Sequence, residues 1–256
     1  TLHDFKMACP AYAMLRDQVV CQECRNKAYY HCFLHRCVKH SGAKSLLACL
    51  EMYLHHVLLN IYGLVDVFIA PSMFLKSKLE EMGFKGRMEY LPNFISTEGF
   101  DPLYQWKEKS IVYFGRLAQE KGLYTLLEAM KRVPGVSLKI IGEGPLQSSL
   151  EEKVKQHGMA KVEFLGYMKD EPLKEEIRNA MCVVFPSEGY ENNPRAVIEA
   201  FALGKPVVGA RILQRVRAGT PLVVIDPRAT ELARRATVHL RARAGRTAGD
   251  DRHELA

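Results

Sequence analysis

Short, continuously apolar segments alternate with amphipathic segments of helical length over most of the chain after Ile61. The apolar segments have the length of β-strands and read VDVFIAPS, RMEYLPN, SIVYFGRL, VSLKIIGEG, KVEFLGY, CVVFPSEG and KPVVGAR. A strand whose sheet is covered by helices on both faces is apolar throughout, because neither face meets water. The alternation therefore predicts an α/β protein built on parallel sheets.

Two changes in composition divide the chain. A polar linker with Gly, Pro and charged residues, ISTEGFDPLYQWKEKS, follows Asn93. From Arg211 onward the sequence has 10 arginines, 5 acidic residues and no lysine, whereas all 18 lysines lie at or before Lys205. We therefore predict three parts, which are residues 1–95, residues 96–211, and an atypical Arg- and Ala-rich tail at residues 212–256.

The formal net charge of +7 lies mostly in that tail, so the remaining chain is close to neutral. A near-neutral body with a basic tail does not favour a nucleic-acid-binding protein. The first residues also lack the basic and apolar segments of a secretory signal. We therefore expect a cytoplasmic protein with reduced cysteines.

The longest apolar segment, KSLLACLEMYLHHVLLNIYG, is predicted to be a helix. Glu51, two histidines and Asn60 interrupt it, so it is not expected to span a membrane. We predict that it faces the protein core, with contact to a membrane surface as the alternative. The face predicted to be buried consists of Leu46, Leu50, Tyr53, Val57 and Ile61.

The ends of the predicted strands carry the polar residues that point to a ligand. In the segment FGRLAQEKG, Arg116 and Lys121 flank a turn that follows Gly115 and opens a helix. Two cations beside a helix N-terminus and a glycine favour a diphosphate site, and they would stabilise the charge of a departing nucleoside diphosphate. Two solvated surface cations are the alternative interpretation.

Two further strand ends have the same character. In IGEGP, Gly142 and Gly144 would let the backbone approach a nucleotide closely. In PSEGYENNPRAVIEAFALGKPVVGAR, Glu191 lies in a loop and Glu199 lies about two turns into the following helix, which Asn192 or Asn193 is predicted to cap. A carboxylate accepts well from two vicinal hydroxyl groups, so one acid could bind a sugar and the other a ribose. Ordinary surface acids are the alternative.

In their order and spacing, FGRLAQEKG, IGEGPL and PSEGYENNPRAVIEAFALGKPVVGARI resemble the motifs of family 4 glycosyltransferases. The resemblance covers residues 1 to about 211. It implies a GT-B fold of two facing Rossmann-like domains with parallel sheets, the N-terminal one incomplete in this chain. It also implies transfer of a sugar, with retention at the anomeric carbon, from a nucleotide-diphosphate-sugar to a glycan or lipid-linked acceptor in polysaccharide or glycolipid synthesis. A lipid-linked acceptor would bring the protein to the inner face of the membrane.

The resemblance also implies roles for individual residues. Arg116 and Lys121 would bind the diphosphate and replace a divalent metal, so that no cofactor is required for catalysis. Glu191 would bind the donor sugar and Glu199 the ribose. The remaining residues with implied positions around the donor are His3 in TLHD, Gly115, Gly142, Gly144, Asn192 and Asn193.

The incomplete N-terminal domain and the atypical tail both depart from the family and leave other interpretations open. Residues of about 218–246, predicted as strand, helix and strand, resemble a segment of molybdopterin oxidoreductases, which would make the tail foreign to the rest of the chain. An inactive glycosyltransferase fragment is then one alternative. A GT-B epimerase or phosphorylase is another, although the lysine-bound pyridoxal cofactor of a phosphorylase has no motif here.

A cluster of cysteines precedes the long helix. Cys21 and Cys24 form a C-x2-C pair, and Cys32 and Cys37 follow with histidines between them. Four thiolates at such spacing could hold a structural Zn²⁺ ion. Reduced thiols in an acceptor-side insertion are the alternative, and a zinc-stapled module without catalysis is the corresponding alternative function.

Overall fold

The computed structural model describes residues 1–17, 19–96 and 98–209, together with the backbone of residues 223–225 and 238–240. The strands are β1 (Leu15–Arg16), β2 (Val19–Val20), β3 (Phe68–Ala70), β4 (Met88–Tyr90), β5 (Ser110–Phe114), β6 (Ser137–Ile141), β7 (Val162–Gly166), β8 (Cys182–Phe185), β9 (Val207–Gly209), β10 (Val223–Ile225) and β11 (Val238–Leu240). The helices are α1 (Tyr30–Leu34), α2 (Gly42–Tyr53), α3 (Met73–Glu81), α4 (Leu123–Met130), α5 (Gln147–Gln156), α6 (Asp170–Asn179) and α7 (Arg195–Ala202).

The largest sheet has the strand order β7-β6-β5-β8-β9. Its central strand β5 pairs in parallel with β6 and β8, and β6 pairs in parallel with β7. Because successive side chains of a strand point to opposite faces, β5 contributes to two cores. Tyr113 packs with Leu127 of α4, whereas Val112 packs on the other face with Ile177 of α6 and Ala200 of α7. The α/β class with a parallel sheet is confirmed.

A smaller parallel sheet, formed by β3 and β4, lies before the linker. Leu75 and Leu79 of α3 pack with Phe68 of β3 in one buried cluster. As predicted, α3 begins after Ser72, whose side chain accepts a hydrogen bond from the Leu75 amide at 3.0 Å. The prediction of a strand followed by a Ser-capped helix is confirmed here.

The chain forms two compact units, Thr1–Val207 and Val208–Ala256. In the second unit β10 and β11 pair in parallel. They coincide with the two strands predicted in the tail, while the predicted helix between them, the boundary at 211/212 and most of the segment of about 218–246 lie outside the described residues. The predicted boundary between residues 95 and 96 falls inside the first unit and stays a prediction.

The long apolar segment differs from its prediction in both length and orientation. Helix α2 ends at Tyr53 and continues as a π-helical turn over Leu54–Leu58. The predicted buried face is wrong, since Leu50 is 56% exposed and Val57 is 54% exposed. Its buried residues are instead Ser45, Cys49, Met52 and His56. The segment is apolar around most of its circumference, so periodicity alone did not identify the face that packs against the cysteine-rich N-terminal region.

Among the residues that the structure describes, none of the helices combines the length and the apolar character needed to cross a lipid bilayer.

Candidate functional site

A cavity of about 770 Å³ lies at the carboxyl ends of β5, β6 and β7. Ligands of parallel α/β folds bind at this edge of the sheet, and the volume is in the range of small-molecule sites. Gly115 and Arg116 follow β5, Gly142 follows β6, and Glu199 reaches the cavity from α7. The remaining lining residues are Phe100, Phe114, Ile141, Glu143, Tyr167, Met168, Lys169, Asp170, Leu173, Lys174, Ile177, Arg195 and Leu203.

Glycine at position 142 is required by the contact between two of these loops. Gly142 has a φ of +131°, and a Cβ atom there would lie 2.1 Å from the Gly115 carbonyl oxygen. The adjacent strand ends are also tied by backbone hydrogen bonds, from the Gly115 amide to Ile141 and from the Gly142 amide to Gly166. The floor of the cavity is therefore backbone, which lets a ligand approach closely.

Gly144 acts in the same turn without lining the cavity. A Cβ atom at this position would lie 2.3 Å from the Leu117 carbonyl oxygen. The Leu117 amide donates to the Glu143 carbonyl at 2.9 Å, so the turn after β6 is packed on the turn after β5. Gly144 was predicted to let the backbone approach a nucleotide closely. In this structure, the close contact at Gly144 is with the backbone of Leu117.

Arg116 is exposed at the mouth of the cavity. Its backbone carbonyl accepts a hydrogen bond from the buried Tyr113 hydroxyl at 2.8 Å, which fixes the turn that carries the guanidinium group. The side chain itself extends from a rigid backbone into solvent. This arrangement suits a residue that must contact a charged ligand.

Glu199 is one of the acidic residues that line the cavity, together with Glu143 and Asp170. Burial raises the pKa of its carboxyl group, and the nearby cations Arg195 and Lys174 oppose that shift. Arg195, one helical turn earlier, lies 3.8 Å from the carboxylate. The site therefore holds a half-buried carboxylate among cations, with free acceptor capacity toward the cavity.

Replacing Glu199 by glutamine is expected to stabilise the ligand-free protein at neutral pH. A carboxyl group whose folded-state pKa is raised contributes stability below its unfolded pKa, and that contribution is lost as the pH rises through the folded pKa. The neutral amide avoids this loss, so Glu199→Gln should raise the unfolding midpoint at pH 7 by about 1–3 °C. Melting curves between pH 4 and pH 8 should show the difference shrinking toward acid pH. A difference that grows toward acid pH would contradict the assignment.

Lys121 and Glu191 form a second polar group outside the cavity lining. The Lys121 ammonium lies 2.7 Å from the Glu191 carboxylate, and the Ser187 hydroxyl donates to the same carboxylate oxygen. The Glu120 carbonyl accepts from the Glu188 amide and also lies 3.1 Å from the Ser187 hydroxyl, whose one hydrogen is shared between this carbonyl and the carboxylate. The loops after β5 and β8 are thus locked together by one ion pair and several hydrogen bonds.

Asn192 and Asn193 join α7 to the N-terminal part of the chain. The predicted capping of α7 by either side chain is wrong, because the N-cap residue is Pro194. Asn192 instead accepts from the Ser72 hydroxyl at 2.8 Å and donates to the Leu2 carbonyl at 3.1 Å.

Asn193 has a left-handed φ of 51°, and its carbonyl accepts from the Asn93 side chain. His3, adjacent to Leu2, is exposed. The N-terminal loop is thereby held against the start of α7.

Several residues of the site were not singled out by sequence reasoning. Arg195 could have been found from its i, i+4 spacing to Glu199, and Ser187 from its position in the PSEGYE loop. Lys174 and Tyr167 reach the cavity from α6 and from the segment after β7. Their participation depends on the strand order, which no local motif encodes.

The predicted cysteines lie apart from this cavity. Cys21, Cys24, Cys32 and Cys37 line a separate, small cavity together with Cys9, His31 and His35. All seven cysteines of the chain are free thiols. Within the described part of the chain, the group of potential ligand atoms that lie within 4.8 Å of one another consists of Glu23, His31 and His35.

The chain is similar to known proteins over the part that forms the cavity. Its residues 108–241, just over half of the chain, match the family described as "Glycosyl transferases group 1", and the match continues past Arg211. The lipopolysaccharide core biosynthesis glycosyltransferase LpsE of Rhizobium meliloti is 25% identical over 160 residues, which are 60% of this chain and 46% of that protein.

Two solved structures show the same fold. A mutant of S. aureus TarM, solved with UDP, fondaparinux and α-GlcNAc-glycerol, has a TM-score of 0.52 at 18% identity, covering 58% of this chain and 30% of its own. Anabaena Alr3699/HepE, solved with UDP and glucose, has a TM-score of 0.51 at 19% identity, covering 68% and 51%.

The chain spans less than half the length of the curated relatives it matches, such as the 46% covered in LpsE. The family match nevertheless includes every strand of the five-stranded sheet and the loops after β5, β6 and β7 at the cavity. The chain therefore belongs to the group 1 glycosyl transferases.

Proposed function

We propose that this chain takes part in the transfer of a sugar from a nucleotide-diphosphate-sugar to a glycan or lipid-linked acceptor, as a retaining glycosyltransferase of family 4. The observation that carries the proposal is the cavity at the strand ends, where Arg116, two glycine loops and Glu199 surround one space of nucleotide size. In this reaction the bond between the anomeric carbon and the phosphate oxygen breaks. The acceptor oxygen bonds to that carbon, and its proton passes to the leaving diphosphate.

Arg116 and Lys121 are proposed to bind the diphosphate. Arg116 lines the cavity, and Lys121 lies five residues later in the same loop. Their positive charges would stabilise the negative charge that develops on the leaving group, which is the electrostatic requirement of the reaction. Lys121 is paired with Glu191 in the ligand-free protein, so diphosphate binding would exchange one anionic partner for another.

Glu199 is proposed to bind the ribose. Its half-buried carboxylate lines the cavity and can accept hydrogen bonds from two vicinal hydroxyl groups. Gly115 and Gly142 would form the backbone against which the nucleotide lies, and Gly144 would support it by packing on Leu117. The aromatic ring of Tyr167 at the cavity wall is available to contact the base.

Glu191 and His3 are proposed to contact the donor sugar, with the backbone around Asn192 and Asn193 beside it. The hydrogen bond from Asn192 to the Leu2 carbonyl supports this, because it brings the residue next to His3 toward the loop that carries Glu191. Contacts from His3 in residues 1–95 and from Glu191 in residues 96–211 would meet at the donor sugar. Recognition of the sugar would then depend on the relative position of these two parts.

The acceptor is proposed to be a glycan or lipid-linked precursor of a surface polysaccharide or glycolipid. The names of curated relatives support this class, since LpsE acts in lipopolysaccharide core biosynthesis. A lipid-linked acceptor would require contact with the inner face of a membrane. The exposed apolar side chains of Leu47, Leu50 and Leu58 on and after α2 are available for such contact.

A thermal-shift titration with UDP-, GDP- and ADP-sugars tests the donor site. A ligand that binds the folded chain at about 100 times its Kd adds about 2.7 kcal/mol, which raises the unfolding midpoint by roughly 5–10 °C. We expect such a rise with one nucleotide series, and at least about a tenfold loss of affinity in Glu199→Ala. Glu152→Ala, an exposed acid on α5, is the matched control. A cooperative melt that no nucleotide shifts would contradict the proposal.

A further inference from the structure

Five cysteine side chains converge before α2, in a part of the chain that the proposed transfer reaction does not use. Cys9, Cys21, Cys24, Cys32 and Cys37 line one cavity of about 10 Å³, together with His31 and His35. A space of this size excludes anything larger than a water molecule or a metal ion. Sequence reasoning identified four of these thiols and missed Cys9, which precedes Cys21 by twelve positions.

Separate turns bring the thiols together. The Cys9 amide donates to the Phe5 carbonyl, the Cys21 amide to the Met14 carbonyl and the Cys37 amide to the Cys32 carbonyl. Cys24 lies directly before a single 3-10 turn over Arg25–Lys27. The convergence therefore depends on irregular backbone and not on one helix or sheet.

The regular structure of this segment is too sparse to explain its conformation. It contains the two-residue strands β1 and β2 and the five-residue helix α1. Left-handed φ values occur at Tyr12, Met14, Asp17, Asn26, Lys27, Arg36, Lys39 and His40. Each such residue costs about 1–2 kcal/mol, so a strong local interaction is needed to offset them.

We propose that this chain holds one structural Zn²⁺ ion, bound by the thiolates of Cys9, Cys21, Cys24 and Cys37. Zinc in structural sites is tetrahedral with four protein ligands, and C-x2-C is a common spacing for one pair. All four line the same cavity, and among the described residues no three of their sulfur atoms lie within 4.8 Å of one another. The sulfur atoms would move inward by side-chain rotation, because tetrahedral zinc with bonds of about 2.3 Å holds its sulfurs about 3.8 Å apart.

Cys9 is assigned as a ligand in place of Cys32 on two grounds. Cys9 lies in irregular backbone, as Cys21, Cys24 and Cys37 do, whereas Cys32 lies within helix α1. Cys32 is 1% exposed, less than any of the four proposed ligands, and it packs with Tyr29 and Met52 in an apolar cluster that also includes Cys24. It packs as a small hydrophobic residue beside the site.

The neighbouring group of Glu23, His31 and His35 is a weaker site for the ion. The Glu23 carboxylate oxygen that faces both histidines already accepts from Arg16 at 2.8 Å and lies 2.7 Å from His35. A guanidinium group at that distance opposes the binding of a second cation. The two histidine rings are stacked against each other, outside the thiol set.

Metal analysis of the purified 256-residue chain tests the proposal. Chain produced with zinc and then desalted should contain about one zinc ion per molecule. Cys24→Ser and Cys37→Ser should lose it, whereas Cys32→Ser and Cys49→Ser should keep it. Cys49 is the matched control, because it is a buried free thiol on α2 that does not line the cavity.

Cobalt substitution keeps the test decisive if the serine variants fail to fold. Wild-type chain loaded with Co²⁺ should show thiolate-to-cobalt charge-transfer absorption, and removal of the metal by a chelator should lower the unfolding midpoint by more than about 5 °C. Folded wild-type chain that binds neither metal would overturn the proposal. Zinc that survives in Cys24→Ser but is lost in His35→Ala would overturn it too, by assigning the ion to the histidine group. Zinc lost in Cys32→Ser but kept in Cys9→Ser would overturn the ligand set.

Discussion

Arg116→Ala is expected to weaken binding of the donor's nucleoside diphosphate by roughly 10- to 150-fold, because a guanidinium group that contacts a diphosphate makes charge-assisted hydrogen bonds worth about 1.5–3 kcal/mol. The side chain is exposed and its turn is fixed through the backbone, by the bond from Tyr113 to the Arg116 carbonyl. The alanine variant keeps that bond, so the fold and the shape of the cavity should be retained.

The effect should depend on the phosphate groups of the ligand. Isothermal titration with the donor's nucleoside diphosphate, the matching monophosphate and the free nucleoside should give the largest loss for the diphosphate and a change within about twofold for the nucleoside, since the nucleoside has no charge for the arginine to bind. Arg132→Ala, an exposed arginine just after α4, is the charge-matched control. An equal loss for all three ligands would mean that Arg116 supports the cavity and does not contact phosphate.

Glu199→Ala and Arg116→Ala together separate the two halves of the proposed nucleotide site. Glu199 lies on α7 and Arg116 in the loop after β5, and both line the same cavity. If one side chain binds ribose and the other diphosphate, binding of the free nucleoside should respond to the acid and not to the arginine. The two variants therefore test the orientation of the nucleotide as well as its presence.

The sequence predicted the part of the site that strand ends determine. Gly115, Arg116, Gly142 and Glu199 all line one cavity, because the carboxyl ends of adjacent parallel strands meet at one edge of a sheet. Lys121 and Glu191 were predicted as separate ligand-binding residues, and their mutual ion pair was not foreseen. That pair depends on β8 lying beside β5, which is a property of the topology and not of either motif.

The rest was beyond sequence reasoning for two physical reasons. The orientation of α2 was predicted wrongly because Leu50 and Met52 are equally apolar, and only the packing of Tyr29 and Cys49 decides which one is buried. The place of Cys9 among the thiols was missed because it depends on irregular turns, for which hydrophobic periodicity carries no signal. In both cases, tertiary contacts determine the outcome, and the local sequence does not distinguish between the alternatives.

Gly122→Ala is expected to be the most destabilising of the substitutions considered, at roughly 2–5 kcal/mol, when left-handed strain and overpacking are added. Gly122 has a φ of +66°, and a Cβ atom there would lie 2.1 Å from the Pro186 carbonyl oxygen. That oxygen belongs to the backbone of the loop after β8, so a side-chain rotation cannot relieve the contact.

Gly158→Ala separates the two causes, because Gly158 has a φ of +59° with nothing within 4 Å of the added atom. Urea unfolding should give only the conformational cost there, about 1–2 kcal/mol, and clearly more at Gly122. To relieve the contact, the turn that carries Lys121 would have to move away from the loop that carries Glu191. The Lys121 ammonium and the Glu191 carboxylate now lie 2.7 Å apart. The Gly122 variant should therefore weaken binding of the donor's nucleoside diphosphate, whereas Gly158→Ala should not. Equal destabilisation by the two substitutions would mean that these loops are not held against each other, and that the donor site is assembled only when the nucleotide arrives.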